Sequence, residues 1–242
     1  MKILTIPDMH LKPWMFDQAE DILRKKKADA AVCLMDMPDD FNKEFNIDLY
    51  RQTIERACRF AKDFPDTKWC WGNHELAYIW NFHVTGHCVY AAADVKTGLS
   101  KLEKIVNENG SAVKYVHVID DVIFSHAGVT DSFVRWILMI ENEVMGINTA
   151  YIDFEAVIER INQQKQMVMW QENSPVWARH TAHANGLYTD RLQVSGHTPV
   201  KEVFREGNMI YTDTFSTCVN GKPFGNRKFA VIDTKKKKFV QI

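Results

Sequence analysis

The chain has 242 residues, 46% of them hydrophobic and 25% charged, and a net charge of -1 at pH 7. That balance describes a soluble globular protein with enough apolar surface for a full core. It excludes broad electrostatic attraction to nucleic acid or to an acidic membrane.

The five cysteines, Cys33, Cys58, Cys70, Cys88 and Cys218, show no CxxC spacing. They read as reduced thiols of a cytoplasmic protein. No stretch approaches the ~20 apolar residues of a membrane span, and the first apolar run is too short for a signal peptide.

Residues 2–6 form a β-rich apolar run that ends at Pro7-Asp8-Met9-His10. Asp8 and His10 are two apart, which in extended backbone puts both side chains on one face. They make a metal-ligand pair; a turn Asp beside a surface His is the other reading. Residues 14–27 carry Phe16, Ala19, Ile22 and Leu23 at helical spacing. This helix closes on Arg24-Lys25-Lys26-Lys27, where cations complement the dipole. Residues 30–35 form a second buried strand ending at Asp36-Met37-Pro38-Asp39-Asp40. Strand, helix and strand of this length suggest a right-handed βαβ unit, with Asp36 beside Asp8 and His10.

Residues 46–63 read as a second helix, with Leu49, Ile54, Ala57, Cys58 and Ala61 inward. A third strand, Lys68-Trp69-Cys70-Trp71, runs into Gly72-Asn73-His74-Glu75, expected as a strand-end loop. Such loops carry function because a rigid scaffold aims them. Asn73 offers an amide oxygen to a metal, His74 an imidazole for proton transfer, and Gly72 a tight turn. Glu75 receives no role. His83 and His87 are four apart and would share a helical face as a metal pair. No acid accompanies them and Gly86 weakens a helix, so they read as histidines at the surface or behind the ligands. A helix follows around 99–109.

Residues 112–125 alternate as a hairpin turning at Asp120-Asp121, with His117 structural. The hairpin ends at Ser125-His126-Ala127-Gly128. Residues 131–169 are helix-rich with methionines interspersed, expected as a cap or flanking helices. Arg179 near a metal cluster would clamp phosphate in bidentate fashion; taken alone it reads as a surface salt bridge. Strand 192–195 ends at Gly196-His197-Thr198-Pro199. The rest is β: 201–204, a turn at Gly207-Asn208, 209–214, and a last hairpin joining 229–232 to 239–242. No repeat or linker interrupts the chain, so one domain over 1–242 is expected.

The strand ends thus collect Asp8, His10, Asp36, Asn73, His74, His126 and His197. Carboxylate, amide and imidazole groups without thiolates suit Mn²⁺, Fe or Zn²⁺. Two metals sharing one carboxylate form a clamp for in-line displacement at phosphorus.

The ordered set Asp-x-His, Asp-x-x-Asp, Gly-Asn-His-Glu, Ser-His-Ala-Gly and Gly-His-Thr resembles the calcineurin-like metallophosphoesterase superfamily. It is nearest the branch of PPP-type serine/threonine phosphatases and symmetrical diadenosine tetraphosphatases, since Pro199 follows Gly-His-Thr. Tyr211-Thr212-Asp213-Thr214 resembles the family's next strand. The resemblance implies an α/β fold, a four-layer αββα sandwich of two mixed β-sheets flanked by helices, with a dimetal site at the strand C-terminal ends.

It further implies that Asp8 and His10 hold one metal, that Asn73, His126 and His197 hold the other, and that Asp36 bridges them. The two ions would be Mn²⁺, Fe or Zn²⁺. A bridging hydroxide would attack phosphorus. His74 would protonate the leaving alkoxide, Asp39 would orient His74, and Arg179 would hold phosphate oxygens. The implied activity is hydrolysis of a phosphomonoester on a small molecule, nucleotide or phosphoprotein. Hydrolysis of a nucleoside polyphosphate is the alternative, and a non-catalytic scaffold of the same fold a third reading. The chain departs from the family pattern at Met35, where a glycine precedes the bridging Asp, and at Pro7 and Leu11, where glycines flank the first motif. It departs again at Asp40, where the phosphate-gripping arginine stands.

Overall fold

The computed structural model describes residues 1–149 and 152–242; Ala150 and Tyr151, inside the expected insert, lie outside the described residues. Two mixed β-sheets form the centre. The first is built from β1 (Lys2–Ile6), β2 (Ala30–Cys33), β3 (Lys68–Cys70), β4 (Val113–Lys114), and the C-terminal β10 (Ala230–Asp233) and β11 (Lys238–Gln241). Its order is β11-β10-β1-β2-β3-β4. β1 to β4 run parallel, and β10 lies antiparallel against β1. The second contains β5 (Val116–Ile119), β6 (Val122–Ser125), β7 (Gln193–Ser195), β8 (Phe204–Glu206) and β9 (Met209–Tyr211). Its order is β5-β6-β7-β9-β8, with β6, β7 and β9 parallel.

Strand alternation distributes the core. Ile3, Val32 and Cys70 share one cluster with Val122, Phe124, Val194 and Ile210, which fills the space between the sheets. Their neighbours Leu4, Ala31, Cys33 and Trp69 belong to a second, larger cluster. Successive side chains on a strand point to opposite faces, so each short apolar run feeds two layers. Helices α1 (Trp14–Arg24), α2 (Ile47–Asp63) and α4 (Ala92–Glu108) cover the outer face of the first sheet. On α2 the buried positions Tyr50, Ile54, Ala57, Cys58 and Ala61 recur at helical spacing, and Asn46 caps Leu49 N at 3.2 Å. Phe16 of α1 packs at a tilt against Phe60 and Trp69, at 5.0 and 5.9 Å between ring centroids.

The expected insert comprises α5 (Asp131–Met139), a π-helical turn (Ile140–Val144), α6 (Phe154–Asn162) and α7 (Gln166–Met169). Thr130 and Asp153 cap α5 and α6. Asn162 ties α6 to β5 by accepting from Tyr115 N and Val116 N. No helix among the described residues is long and apolar enough to cross a membrane.

Several boundaries differ from the sequence reading. α1 ends at Arg24, so the lysines that follow lie outside it. α4 begins at Ala92, seven positions before the expected 99, because Val95 continues its buried stripe. The alternating run 112–125 is not one hairpin arm. Val113 and Lys114 pair with β3 in the first sheet, whereas Val116–Ile119 pair with β6 in the second. Alternation alone does not record that the chain changes sheets at Tyr115. The turn at Asp120 and Asp121 stands as read, both residues having positive φ. The first strand of the penultimate hairpin starts at Phe204, not at residue 201.

His117 joins the two sheets, its Nε2 donating to Trp69 O at 3.0 Å. Burial holds its pKa down to about 4. The unfolded chain therefore binds a proton between pH 6.5 and 4 that the folded chain refuses. This contribution is complete above the unfolded pKa and is lost as pH falls through that window. At one pKa unit per 1.36 kcal/mol, it is about 3 kcal/mol. We expect His117→Gln to flatten the fall in urea-unfolding stability between about pH 7.5 and 4.5, relative to the parent.

Candidate active site

Six parallel strands end on one edge of the two sheets. β1 leads to Asp8 and His10, β2 to Asp36, and β3 to Asn73 and His74. β6 leads to His126, β7 to His197 and β9 to Asp213. Asp8, Asp36, His126 and His197 are buried and place ligand atoms within 4.8 Å of one another. His10, Asp36 and His74 form a second such group, so Asp36 is common to both. Asp8 thus lies with His126 and His197, a different grouping from the Asp8/His10 pair read from spacing.

Asn73 and His74 are not in a loop. They open helix α3 (Asn73–Trp80), with Gly72 at its N-cap. His74 N donates to Asp36 Oδ1 at 2.9 Å, so the carboxylate also satisfies an orphan amide of the first helical turn. Gly72 has an ordinary φ of -95°. It is glycine because Asp36 passes so close: a Cβ there would sit 2.1 Å from Asp36 Oδ1. Gly196 makes the same allowance for Asp8, whose Oδ1 would lie 2.0 Å from its Cβ. Asp8 accepts from His197 N through both oxygens, at 2.8 and 3.0 Å.

Backbone carbonyls fix the tautomer of two of the imidazoles. His126 Nδ1 donates to Leu34 O at 2.8 Å, and His10 Nδ1 to Asp39 O at 2.9 Å. A carbonyl can only accept, so Nε2 of both rings is free to act as a ligand. Around His126 Nε2 lie Asn73 Oδ1 at 2.9 Å, His197 Nδ1 at 3.0 Å and Asp36 Oδ2 at 3.3 Å. His197 Nε2 is buried with no partner.

The electrostatics of this cluster favour positive charge. Burial pushes the Asp8 carboxyl well above its usual range, and Asp213 and Asp36 push it further. Burial opposes a charge on His126, yet Asp36 and Asp8 outweigh it and raise that pKa to about 10. Burial likewise opposes ionisation of Asp36, but His126, His74 and His10 hold it far below the ordinary value. Burial, with His126 and Arg179 nearby, depresses His197 well below its ordinary value. Desolvated carboxylates beside imidazoles with fixed lone pairs, plus an orphaned ring nitrogen, fit divalent cations.

A model of the calcineurin-like phosphoesterase family matches residues 1–215. The chain belongs to the calcineurin-like phosphoesterases. It is therefore a phosphoester hydrolase of a class that uses divalent metals. In fold it is similar to a protein serine/threonine phosphatase from Saccharomyces cerevisiae (11% identity, TM-score 0.51, covering 96% of this chain and 72% of that one). It is also similar to a cold-active protein-tyrosine phosphatase of a psychrophilic Shewanella species (15% identity, TM-score 0.50, covering 99% and 80%). No curated protein matches the chain in sequence.

The phosphoesterase departs from the family pattern by means the structure makes explicit. Met35 takes φ 60° and Asp36 φ 46° at the tight turn where the family has glycine. Glu75, given no role by sequence, secures that turn: its carboxylate accepts from Asp36 N at 3.0 Å and Met37 N at 2.6 Å. Burial and the neighbouring Asp36 raise its pKa to about 8. Leu11 also has positive φ, at 57°. Backbone strain of this kind persists only where surrounding bonds over-determine it.

Asp40 is not a free carboxylate facing phosphate. Lys12 Nζ binds its Oδ2 at 3.2 Å, and both side chains are nearly inaccessible. Lys12 also donates to His10 O at 3.0 Å, and Thr217 Oγ1 donates to Asp40 at 3.3 Å. Sequence reading missed Lys12. Its one available signal was a lysine two residues after a metal-ligand His, and nothing local tied it to Asp40.

Asp39 accepts His74 Nδ1 at 2.7 Å through Oδ2, and Tyr50 and Tyr78 hydroxyls at 3.0 and 2.6 Å through Oδ1. Arg179 lines the same cavity as these groups and donates to His197 O at 3.0 Å. His83 and His87 lie outside any helix; His83 lines the cavity, and His87 stacks on Tyr78 at 4.1 Å.

Removing one partner of a buried ion pair costs about 3–5 kcal/mol, whereas replacing both with apolar groups is often neutral. Lys12→Met is expected to lose ~3 kcal/mol in urea unfolding, and Lys12→Met/Asp40→Leu to recover most of it. Equal losses in the two variants would show that the pair contributes only shape.

Proposed function

We propose that the chain is a metal-dependent phosphomonoesterase in which Asp36 bridges two ions, His74 is the proton donor and Arg179 the phosphate clamp. The observation that carries this is the sharing of Asp36 between the two ligand groups. Asp8, His10, Asp36, Asn73, His126 and His197 would hold two divalent ions, Mn²⁺ foremost. Such a pair, when bound, supplies Lewis acidity at phosphorus and a nucleophile at neutral pH.

His74 serves as the proton donor to the leaving oxygen. Burial opposes its charge, but Asp36 and Asp39 raise its pKa to about 9, so the ring carries its proton at neutral pH. Asp39 fixes the ring through Nδ1, and the two tyrosine hydroxyls fix Asp39, leaving Nε2 for the substrate. Arg179 holds phosphate oxygens. Among the described residues it is the one Arg or Lys lining the cavity, and Lys12 nearby is held by Asp40. One cation beside the ligand cluster favours a substrate with a single phosphoryl group over a polyphosphate chain. We further propose that 1–242 forms one domain, with 131–169 as a cap beside the site.

His74→Asn should lower kcat by roughly 10²–10⁴-fold on an alkyl phosphate. The loss should be smaller on p-nitrophenyl phosphate, whose leaving group needs no proton. Metal content measured by mass spectrometry should stay unchanged, and loss of metal would reassign His74 as a ligand. Asp36→Asn should strip metal and turnover together; full metal content in that variant would refute the bridging role. A chelator should abolish activity and added Mn²⁺ restore it. Faster hydrolysis of diadenosine tetraphosphate than of p-nitrophenyl phosphate or a phosphopeptide would overturn the monoester assignment.

A further inference from the structure

The cavity over the ligand cluster measures about 720 Å³. A phosphoryl group fills only a small part of such a volume, within the range of sites that enclose whole small ligands. The remainder leaves room for the leaving group, and part of its lining is aromatic. Trp170 and Trp177 line the cavity together with Arg179 and His197. Both indoles are half-buried, so each keeps ring surface accessible.

The rings form a continuous series running to the ligand cluster. Phe82 stacks on Trp170 at 4.5 Å with planes 23° apart. Trp170 meets Trp177 edge to face at 5.1 Å, and Trp177 meets His197 edge to face at 5.8 Å. Trp177 is therefore one ring from a proposed metal ligand, and two positions from Arg179. Trp80, at the end of α3, braces Trp170 from a further side at 5.9 Å. The wall thus joins the end of α3 to the residue that follows α7, and ring packing on several sides holds Trp170 in place.

We propose that this wall is a subsite for a flat ring in the leaving group, so that the substrate is a phosphoester carrying an aryl or heteroaryl ring near its single phosphoryl group. The assignment rests on the phosphomonoesterase reading for its chemistry. Its recognition element, the indole wall, is independent of the metal. A ring seated there exchanges water for the accessible indole surface, and aromatic packing of this kind is tolerant of ring identity. A phosphotyrosine side chain and a nucleoside monophosphate present the same feature.

The test compares benzyl phosphate with cyclohexylmethyl phosphate, whose leaving alcohols have similar acidity but differ in flatness. Wild-type kcat/KM should favour the benzyl ester roughly three- to tenfold, and Trp170→Leu/Trp177→Leu should bring the ratio near one. Binding is read separately from tryptophan fluorescence with benzylphosphonate and cyclohexylmethylphosphonate, which are not hydrolysed. If neither ester is hydrolysed but the benzyl ligand binds more tightly, the ring subsite stands and the monoesterase reading falls. If both esters are hydrolysed at equal efficiency and both phosphonates bind alike, the ring subsite is overturned. Faster turnover of phosphotyrosine amide than of a nucleoside monophosphate, or the reverse, assigns the source of the ring. A phosphoserine peptide outpacing both would overturn the proposal.

Discussion

Two buried carboxylates at one edge of the fold set the terms for the rest. Asp8 and Asp36 are each about 1% accessible and share their surroundings with Asp213, itself fully buried. Desolvated negative charge is costly unless it is neutralised or hydrogen-bonded. The surroundings answer in both ways. His197 N and His74 N donate to the carboxylates, and four imidazoles, those of His10, His74, His126 and His197, crowd against them. Charge is still needed, which is why His126 takes up a proton so readily and why the cluster suits cations. The same need explains Gly72 and Gly196, which keep side chains out of the space that the carboxylate oxygens occupy.

Bringing these groups together bends the backbone. His10, Leu11, Met35, Asp36, Asp39 and His197 all have positive φ without being glycine. This conformation costs on the order of 1 kcal/mol or more per residue. Reinforcement lies directly beneath. Glu75 binds the amides of Asp36 and Met37, and His10 N and Leu11 N bond the carbonyls of Asp36 and Met37. The first and second motif loops therefore brace one another, and the helix after the third motif locks the second. A phosphoesterase that lacks the family's glycines at these turns depends on such cross-bracing.

Charge balance around phosphate follows the same logic at longer range. A carboxylate at position 40 would repel an anion if left bare. Lys12 cancels it from the adjacent loop, while Arg179, arriving from just before α8 (His180–Ala184), stands at the cavity. The indoles beside Arg179 add apolar surface to the cavity, next to Glu172 and the imidazole of His197.

The local pattern of the chain was enough to establish the buried strands, their polar ends and the type of chemistry those ends carry. Apolar runs stopping at Asp, Asn and His mark strand termini, and period-two alternation records which faces are covered. Helix α2 and the gathering of the candidate residues Asp8, His10, Asp36, Asn73, His74, His126 and His197 at one edge were legible for that reason. What remained hidden depended on which distant segments meet. Alternation through Tyr115 continues while the chain passes from one sheet to the other, because both sheets bury a face. Glu75 looked idle because its partners, Asp36 N and Met37 N, are nearly forty positions away. Asp40 looked repulsive because Lys12 sits on a different loop. The wall of Trp170 and Trp177, backed by Phe82, draws on two segments with no common motif. Sequence determined which groups stand at the strand ends. Tertiary structure alone decided which charges cancel and which rings face the cavity, since a charge or a ring acquires its role only from what packs against it.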